Sequence, residues 1–69
     1  MSKNVKKVLE DAAKFNKAVT FNYISVKGEK STRTVFPEDF INGSNGEIVI
    51  AVDKEINNYR RFLINRIEL

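Results

Sequence analysis

The chain has 69 residues, contains neither cysteine nor histidine, and carries a formal net charge of +3. It therefore forms no disulfide bond, offers no thiolate to a metal, and lacks the commonest general base and metal ligand. This composition argues against an enzyme, so we expect a binding protein with no catalytic residues, no metal and no cofactor. A chain of this length is expected to fold as one domain over residues 1–69.

The positive charge is concentrated in residues 1–17, which hold five lysines and two acidic residues. Mild basicity of this kind permits nucleic-acid binding without requiring it. The sequence has no apolar run near the roughly 20 residues that span a bilayer, and no secretory signal. We therefore predict a cytoplasmic protein that does not act at a membrane.

Apolar residues recur at helical spacing near the N-terminus. They are Val5, Val8, Leu9, Ala12 and Phe15. This pattern predicts one amphipathic helix over about residues 3–16, with most lysines on its opposite face. Either Ser2 or Asn4 is a suitable N-cap. The apolar stripe is narrow, so the helix is expected to lie on another element, with Phe15 in the core.

From Ala18 the apolar pattern has a period of two, which is the period of a β-strand. Turn residues divide the rest of the chain into strands, and Pro37 places a bend, a bulge or an edge within the second strand. Ile48 to Val52, five consecutive apolar residues of the third strand, are expected in the core. The strands are predicted over about residues 18–27, 31–42, 47–53 and 59–64, and residues 66–69 either continue the last strand or form a short fifth one.

One helix followed by four or five antiparallel strands has few compact arrangements in so short a chain. We predict a mainly β fold, in which the N-terminal amphipathic helix is followed by a small, strongly bent antiparallel barrel of the Sm/SH3-like type. The helix would cover an open end or an edge of this barrel.

Five short motifs follow one another along most of the chain. They are Val19-x-Phe21-x-Tyr23, Gly28-Glu29, Arg33-Thr34-Val35-x-Pro37, Asn45-Gly46 before Ala51-x-Asp53, and Arg60-x-Phe62-x-x-x-Arg66-Ile67. In this order and spacing the chain resembles the WYL domain family from about Val8 to Ile67. The resemblance implies an Sm-like barrel behind a short helix. It also implies a regulatory, ligand-sensing module of bacteria and phages, of a kind usually fused to a DNA-binding, nuclease or helicase domain.

Such domains are thought to bind nucleic acid, notably single strands, or nucleotide-like ligands on a basic and aromatic patch. The resemblance implies that Arg33, Arg60 and Arg66 contact the ligand, and that Tyr23 occupies a position where the family keeps an aromatic residue. Two departures weaken this inference. Glu47-Ile48-Val49 stands at the position of the Trp-Tyr-Leu motif, and Leu63 replaces an arginine. We therefore expect this strand to have lost its site chemistry while the fold is kept.

The residues themselves extend the candidate site and leave alternatives open. Arg60 and Arg61 must point to opposite faces of their strand, so at most one of them lines a given patch. Tyr59 is a candidate for stacking on a base. Arg33 could instead pair with a neighbouring acid, and Arg66 could instead have a structural role against the helix or a backbone carbonyl. The accessory candidates are Tyr23, whose ring is alternatively part of the core, and the helix lysines Lys6 and Lys14.

Two functions of different class remain. The first is a non-enzymatic module that binds single-stranded nucleic acid or a nucleotide-like anion through the arginines. The second is an interaction module, an inhibitor or adaptor of a phage or mobile element, that docks on a host protein through a sheet edge or the helix. With no effector domain in the sequence and a last strand that ends at Leu69, an unpaired edge is also expected to allow a homodimer.

Overall fold

The computed structural model describes residues 4–69, and its strands form a single antiparallel sheet in the order β4-β3-β2-β1-β5. The predicted order of one helix followed by antiparallel strands is confirmed. The elements are α1 (Val5–Lys14), β1 (Val19–Ile24), β2 (Lys30–Gly43), β3 (Gly46–Asp53), β4 (Asn58–Leu63), a 3-10 turn (Ile64–Arg66) and β5 (Ile67–Glu68). Within residues 4–69 no helix has the length and apolar character needed to cross a bilayer.

Helix α1 is shorter than the predicted span of 3–16. Asn4 is its N-cap, because the Oδ1 atom of Asn4 accepts a hydrogen bond from the Lys7 N–H at 3.1 Å. Ser2 and Lys3 lie outside the described residues. At the other end Asn16 has φ 54, a left-handed conformation that cannot continue an α-helix. Phe15 therefore lies beyond the helical face that meets the sheet and is 60% exposed, so its predicted place in the core is wrong.

Strand β1 also stops before its predicted end at residue 27, because residues 25–29 form a tight turn. The Ser25 N–H donates to the Glu29 carbonyl at 2.8 Å, and the Gly28 N–H donates to the Ser25 carbonyl at 2.9 Å. Gly28 has φ 86, which a residue with a side chain adopts only with strain. This turn leaves Val26 almost fully exposed.

Strand β2 is long because it pairs with two neighbouring strands. Its residues 30–35 pair with β1 and its residues 35–43 pair with β3. The register shifts between Pro37 and Asp39, so the kink predicted near Pro37 is a β-bulge at Glu38. Because a bulge bends and twists a strand, the two halves of the sheet curve around one core.

The sheet is bent but open, so the predicted closed barrel is not found. Strands β4 and β5 are its two edges, and no ladder joins them. Strand β5 has only two residues, which pair with Asn22 and Tyr23, and the 3-10 turn carries the chain away from β4 before a ladder can form. Side chains span the gap instead: the Leu63 N–H donates to the Tyr23 hydroxyl at 3.0 Å, and the Phe62 ring packs against Phe21 and Tyr23.

The sheet has an inner face, which meets α1 and the core, and an opposite outer face. The buried apolar residues are Leu9, Ala12, Val19, Phe21, Val35, Val49, Ala51, Phe62 and Ile67. In β3, Val49 and Ala51 are fully buried on the inner face, whereas Ile48, Ile50 and Val52 alternate with them and are only half-buried. The core prediction for residues 48–52 therefore holds for the inner-face residues alone.

Candidate functional site

Two of the predicted site arginines meet at one buried carboxylate. The Nη1 atom of Arg33 lies 3.4 Å from Oδ2 of Asp53, and the Nε atom of Arg60 lies 3.7 Å from the same oxygen. Arg33 lies on β2, Asp53 at the end of β3 and Arg60 on β4, so three adjacent strands contribute one residue each. The arrangement brings together residues that are far apart in sequence.

Asp53 occupies this place because of strand alternation. It follows Val49 and Ala51 on the inner face of β3 and, like them, has no exposed surface. A buried carboxylate is tolerated when it is paired and hydrogen-bonded. Here Oδ1 accepts the Glu55 N–H at 2.9 Å while Oδ2 faces the two guanidinium groups. Both oxygens of the carboxylate are thus engaged.

Arg33 is held more firmly than Arg60. Its Nε atom donates to the Ser31 hydroxyl at 3.2 Å, and its side chain is 23% exposed, against 44% for Arg60. Glu55 is a second acid near the cluster, with Oε2 at 4.0 Å from Nη1 of Arg33 and a side chain that is 74% exposed. Asp53 therefore holds both arginines from the buried side, and Glu55 faces Arg33 from the solvent side.

Tyr59 and Arg61, also predicted site residues, lie on the outer face and not with Arg33 and Arg60. Along β4 they alternate with the buried Phe62, as the pleat of a strand requires. The Tyr59 hydroxyl donates to Oε1 of Glu38 at 3.3 Å, which carries the Tyr59 side chain across β3 towards β2. The predicted patch is thus divided between two faces.

Arg66 has a structural position. Its Nη1 atom donates to the carbonyl oxygens of Ile24, at 3.5 Å, and of Ser25, at 3.1 Å, which ties the end of β1 to the 3-10 turn. Of the two roles that the sequence left open for Arg66, the contact with backbone carbonyls is the one observed. Arg66 also lines an open cleft of about 450 Å³ with Val26, Asn45, Leu63 and Asn65, apart from Arg33 and Arg60.

Tyr23, one of the accessory candidates, belongs to an aromatic cluster beneath the sheet. Its ring centroid lies 5.0 Å from that of Phe62 and 6.5 Å from that of Phe21, in edge-to-face geometry. With its hydroxyl already accepting the Leu63 N–H, Tyr23 is engaged in packing. The helix residue Lys14 lies 5.6 Å from the ring of Phe15 at the end of α1.

Lys6, the other accessory candidate, forms an ion pair in which its Nζ atom lies 2.6 Å from Oε2 of Glu47. The hydrogen bond to Glu47 raises the pKa of Lys6 above its ordinary value of 10.5 and outweighs the opposing effect of desolvation. Glu47 belongs to the segment that replaces the Trp-Tyr-Leu motif, and the same segment places Val49 in the core. This segment therefore joins α1 to β3 through the Lys6–Glu47 ion pair.

We predict that Lys6 titrates above its ordinary pKa of 10.5 and that Glu47→Gln brings its pKa back towards that value. A raised pKa in the folded state means that the pair contributes stability below pH 10.5, and that this contribution is lost as the pH rises through the folded-state pKa. NMR titration of the lysine side-chain carbons measures the value. Identical Lys6 titrations in the parent and in Glu47→Gln would contradict the prediction.

Asp53, Ser31 and Glu55 are the site residues that sequence reasoning missed. The available signal was alternation: a charged residue two positions after Ala51 on a buried strand face calls for a partner of opposite charge. In the sequence Asp53 served as the end of the third strand and as part of the motif Ala51-x-Asp53, without a role in the site. The partners could not be named from sequence because they come from β2 and β4.

The architecture is that of a small β domain with two arginines around a buried carboxylate on one face of a bent sheet and a helix across its core. The model of the WYL domain family matches residues 4–69 of this chain. The chain therefore belongs to the WYL domain family, which confirms the resemblance seen in the sequence and indicates a regulatory module. A search of curated proteins finds no match to the chain.

Proposed function

We propose that the chain is a non-enzymatic regulatory module that binds single-stranded nucleic acid, or a nucleotide-like anionic ligand, through Arg33 and Arg60. The observation that supports this proposal is the convergence of both guanidinium groups on Asp53. A guanidinium has five N–H donors in a rigid fork that fits the oxygens of a phosphate. Because Asp53 takes only part of this donor set, each arginine keeps N–H groups for an incoming anion.

The buried carboxylate preorganises the two arginine side chains for binding an anion. Two adjacent cations repel each other, and Asp53 offsets this repulsion without occupying the solvent side. A side chain that is already held loses less conformational freedom on binding. The exposed Glu55 carboxylate must leave Arg33 when a phosphate arrives, so Glu55 competes with the ligand.

Because the site is open to solvent, it suits a single strand of nucleic acid better than a small ligand that needs an enclosed pocket. Arg60 is 44% exposed and lies on β4, an edge of the sheet, so a polyanion can pass across it and continue on either side. With two phosphates neutralised, the logarithm of the binding constant is expected to fall with a slope of about −1.4 against the logarithm of the salt concentration. This slope is about half of what the full predicted set of arginines would produce.

Fluorescence anisotropy with a labelled oligothymidylate tests the proposal. Arg60→Ala is expected to weaken binding about tenfold and to reduce the salt slope by about 0.7, the loss of one phosphate contact. Arg61→Ala is the matched control, since it removes the same charge from the next residue on the opposite face. Equal losses in the two variants would show a diffuse charge effect and would overturn the proposal.

Two further variants keep the test sharp if removal of an arginine disturbs the fold around Asp53. Arg33→Lys keeps the charge and removes the planar fork, so it is expected to weaken binding while circular dichroism stays unchanged. Glu55→Gln leaves both arginines in place and removes the competing carboxylate, so it is expected to tighten binding several-fold. Weaker binding by Glu55→Gln would contradict the competition.

The alternative, docking on a host protein through a sheet edge, has less support. The free edge of β4 carries Arg60 and Arg61, and charged residues on an edge oppose the addition of another strand. The other edge strand, β5, is two residues long and offers little ladder to extend. The proposal therefore rests on the arginine site.

A further inference from the structure

The outer face of strands β2, β3 and β4 carries three rows of side chains that the proposed ligand site does not use. Each row runs straight across the sheet, with one residue from each strand in register. The rows are Phe36–Val52–Tyr59, Asp39–Ile50–Arg61 and Ile41–Ile48–Leu63. We call this surface the three-row face.

Most side chains of the three-row face are apolar, although this face of the sheet is turned away from the core. Six of its nine residues are half-buried hydrophobic side chains, and Tyr59 is 59% exposed. None of these six belongs to the core cluster or packs against it, and α1 lies on the inner face. Within residues 4–69 no other element covers this surface. Contiguous apolar patches on a small protein mark interaction sites.

The middle row shows which kind of partner fits. It places an acid, Asp39, on one side of Ile50 and a base, Arg61, on the other. The two charged residues are separated by one intervening strand, so they stand about 10 Å apart in a sheet with ordinary strand spacing. Both are exposed, and the ion pairs of the described residues include neither of them. Oδ1 of Asp39 accepts the Phe40 N–H at 2.8 Å, which leaves Oδ2 to face solvent.

We propose that the three-row face is a homodimer interface, in which a second copy of this chain packs face to face about a two-fold axis parallel to β3. Such an axis exchanges left and right across the sheet. It therefore sets Arg61 of each copy over Asp39 of the other, and Ile50 over Ile50. The flanking rows then match as well, with Tyr59 over Phe36 and Leu63 over Ile41.

The charges select this orientation. A two-fold axis that ran across the strands would place Asp39 on Asp39 and Arg61 on Arg61, and like charges in contact are repulsive. Two sheets that pack with their strands nearly parallel form the aligned arrangement of a β-sandwich. The proposed dimer thus joins two sheets in an ordinary way and is self-complementary, as a two-fold interface must be.

The proposed interface also lies outside the segment that carries the net positive charge of the chain. The excess positive charge lies in residues 1–17, whereas the middle row of the three-row face carries one acid and one base. The arginine site lies on the opposite face of the sheet and stays open in the dimer. Dimer formation and ligand binding are therefore separate properties that separate experiments can test.

Analytical ultracentrifugation of the 69-residue protein over a range of concentrations tests the proposal. The apparent mass is expected to rise from 7.9 kDa towards twice that value. Arg61→Asp and Asp39→Arg should each weaken the dimer at least about tenfold, because each creates like charges across the interface. The double exchange, Arg61→Asp with Asp39→Arg, restores the opposite pairing and should return the dissociation constant to within a few-fold of the parent.

Lys14→Asp is the control, since it makes the same change in charge as Arg61→Asp but on the exposed end of α1. It should leave the dimer unchanged. A protein that stays monomeric at every concentration would overturn the proposal and leave the three-row face for a different protein. A double exchange that fails to recover dimer formation, or a Lys14→Asp variant that weakens it as strongly as Arg61→Asp, would also overturn it.

Discussion

Replacing Phe62 with alanine is expected to lower the free energy of unfolding by about 3 to 5 kcal/mol. Phe62 is 3% exposed, and its ring packs edge-on against Phe21 at 5.3 Å and Tyr23 at 5.0 Å between centroids. Alanine would leave a cavity at the point where β4 meets β1. In a domain of this size, whose total stability is about 3 to 10 kcal/mol, Phe62→Ala would unfold a large share of the molecules.

Urea unfolding followed by circular dichroism measures this loss, and the chain offers a matched control. Phe15→Ala removes the same atoms from a side chain that is 60% exposed, and it should change the stability by no more than about 0.5 kcal/mol. Similar losses in the two variants would mean that Phe62 is not in the core, and that the packing of β4 against β1 is wrong.

The second large effect is expected at Asp53. Asp53→Ala removes the buried carboxylate that accepts the Glu55 N–H and faces Arg33 and Arg60. The two arginines would then repel each other beside an unpaired backbone donor, at a cost of about 2 to 4 kcal/mol. Thermal and urea unfolding should both show the loss.

Asp53→Asn separates the two contributions. Its amide oxygen still accepts the Glu55 N–H, so Asp53→Asn should lose less stability than Asp53→Ala while the charge on the arginines is left unbalanced. If Asp53→Ala were as stable as the parent, the carboxylate would not be paired with the arginines. The proposed binding site would then lose its rigid support.

The order of elements was predictable because periodicity is a local property. A spacing of three and four residues predicted α1, and a spacing of two predicted β1. The errors occurred where the backbone conformation of a single residue or turn determines where an element ends. Asn16 ends the helix in a left-handed conformation, which excludes Phe15 from the core. The predicted closed barrel was wrong because a 3-10 turn takes the chain from β4 to β5, and no ladder joins these two strands.

The site was predictable only in part. Alternation showed that Arg60 and Arg61 must separate, but only the arrangement of the strands shows which of them joins Arg33. Arg66 illustrates the same limit, because the carbonyls that it contacts are more than 40 positions away in the sequence. Contacts over such distances depend on how the sheet bends, which no window of residues records.

The gap between β4 and β5 gives the domain a line of weakness. Ladder hydrogen bonds hold every other strand boundary, but at this seam the Leu63 amide is bonded to the hydroxyl of Tyr23. A single hydrogen bond contributes about 1 kcal/mol, far less than the whole fold. The packing of Phe62 against Phe21 and Tyr23 therefore closes most of this seam. The two edges are joined by side chains alone, so a substitution that removes the Phe62 ring would part them without breaking a ladder.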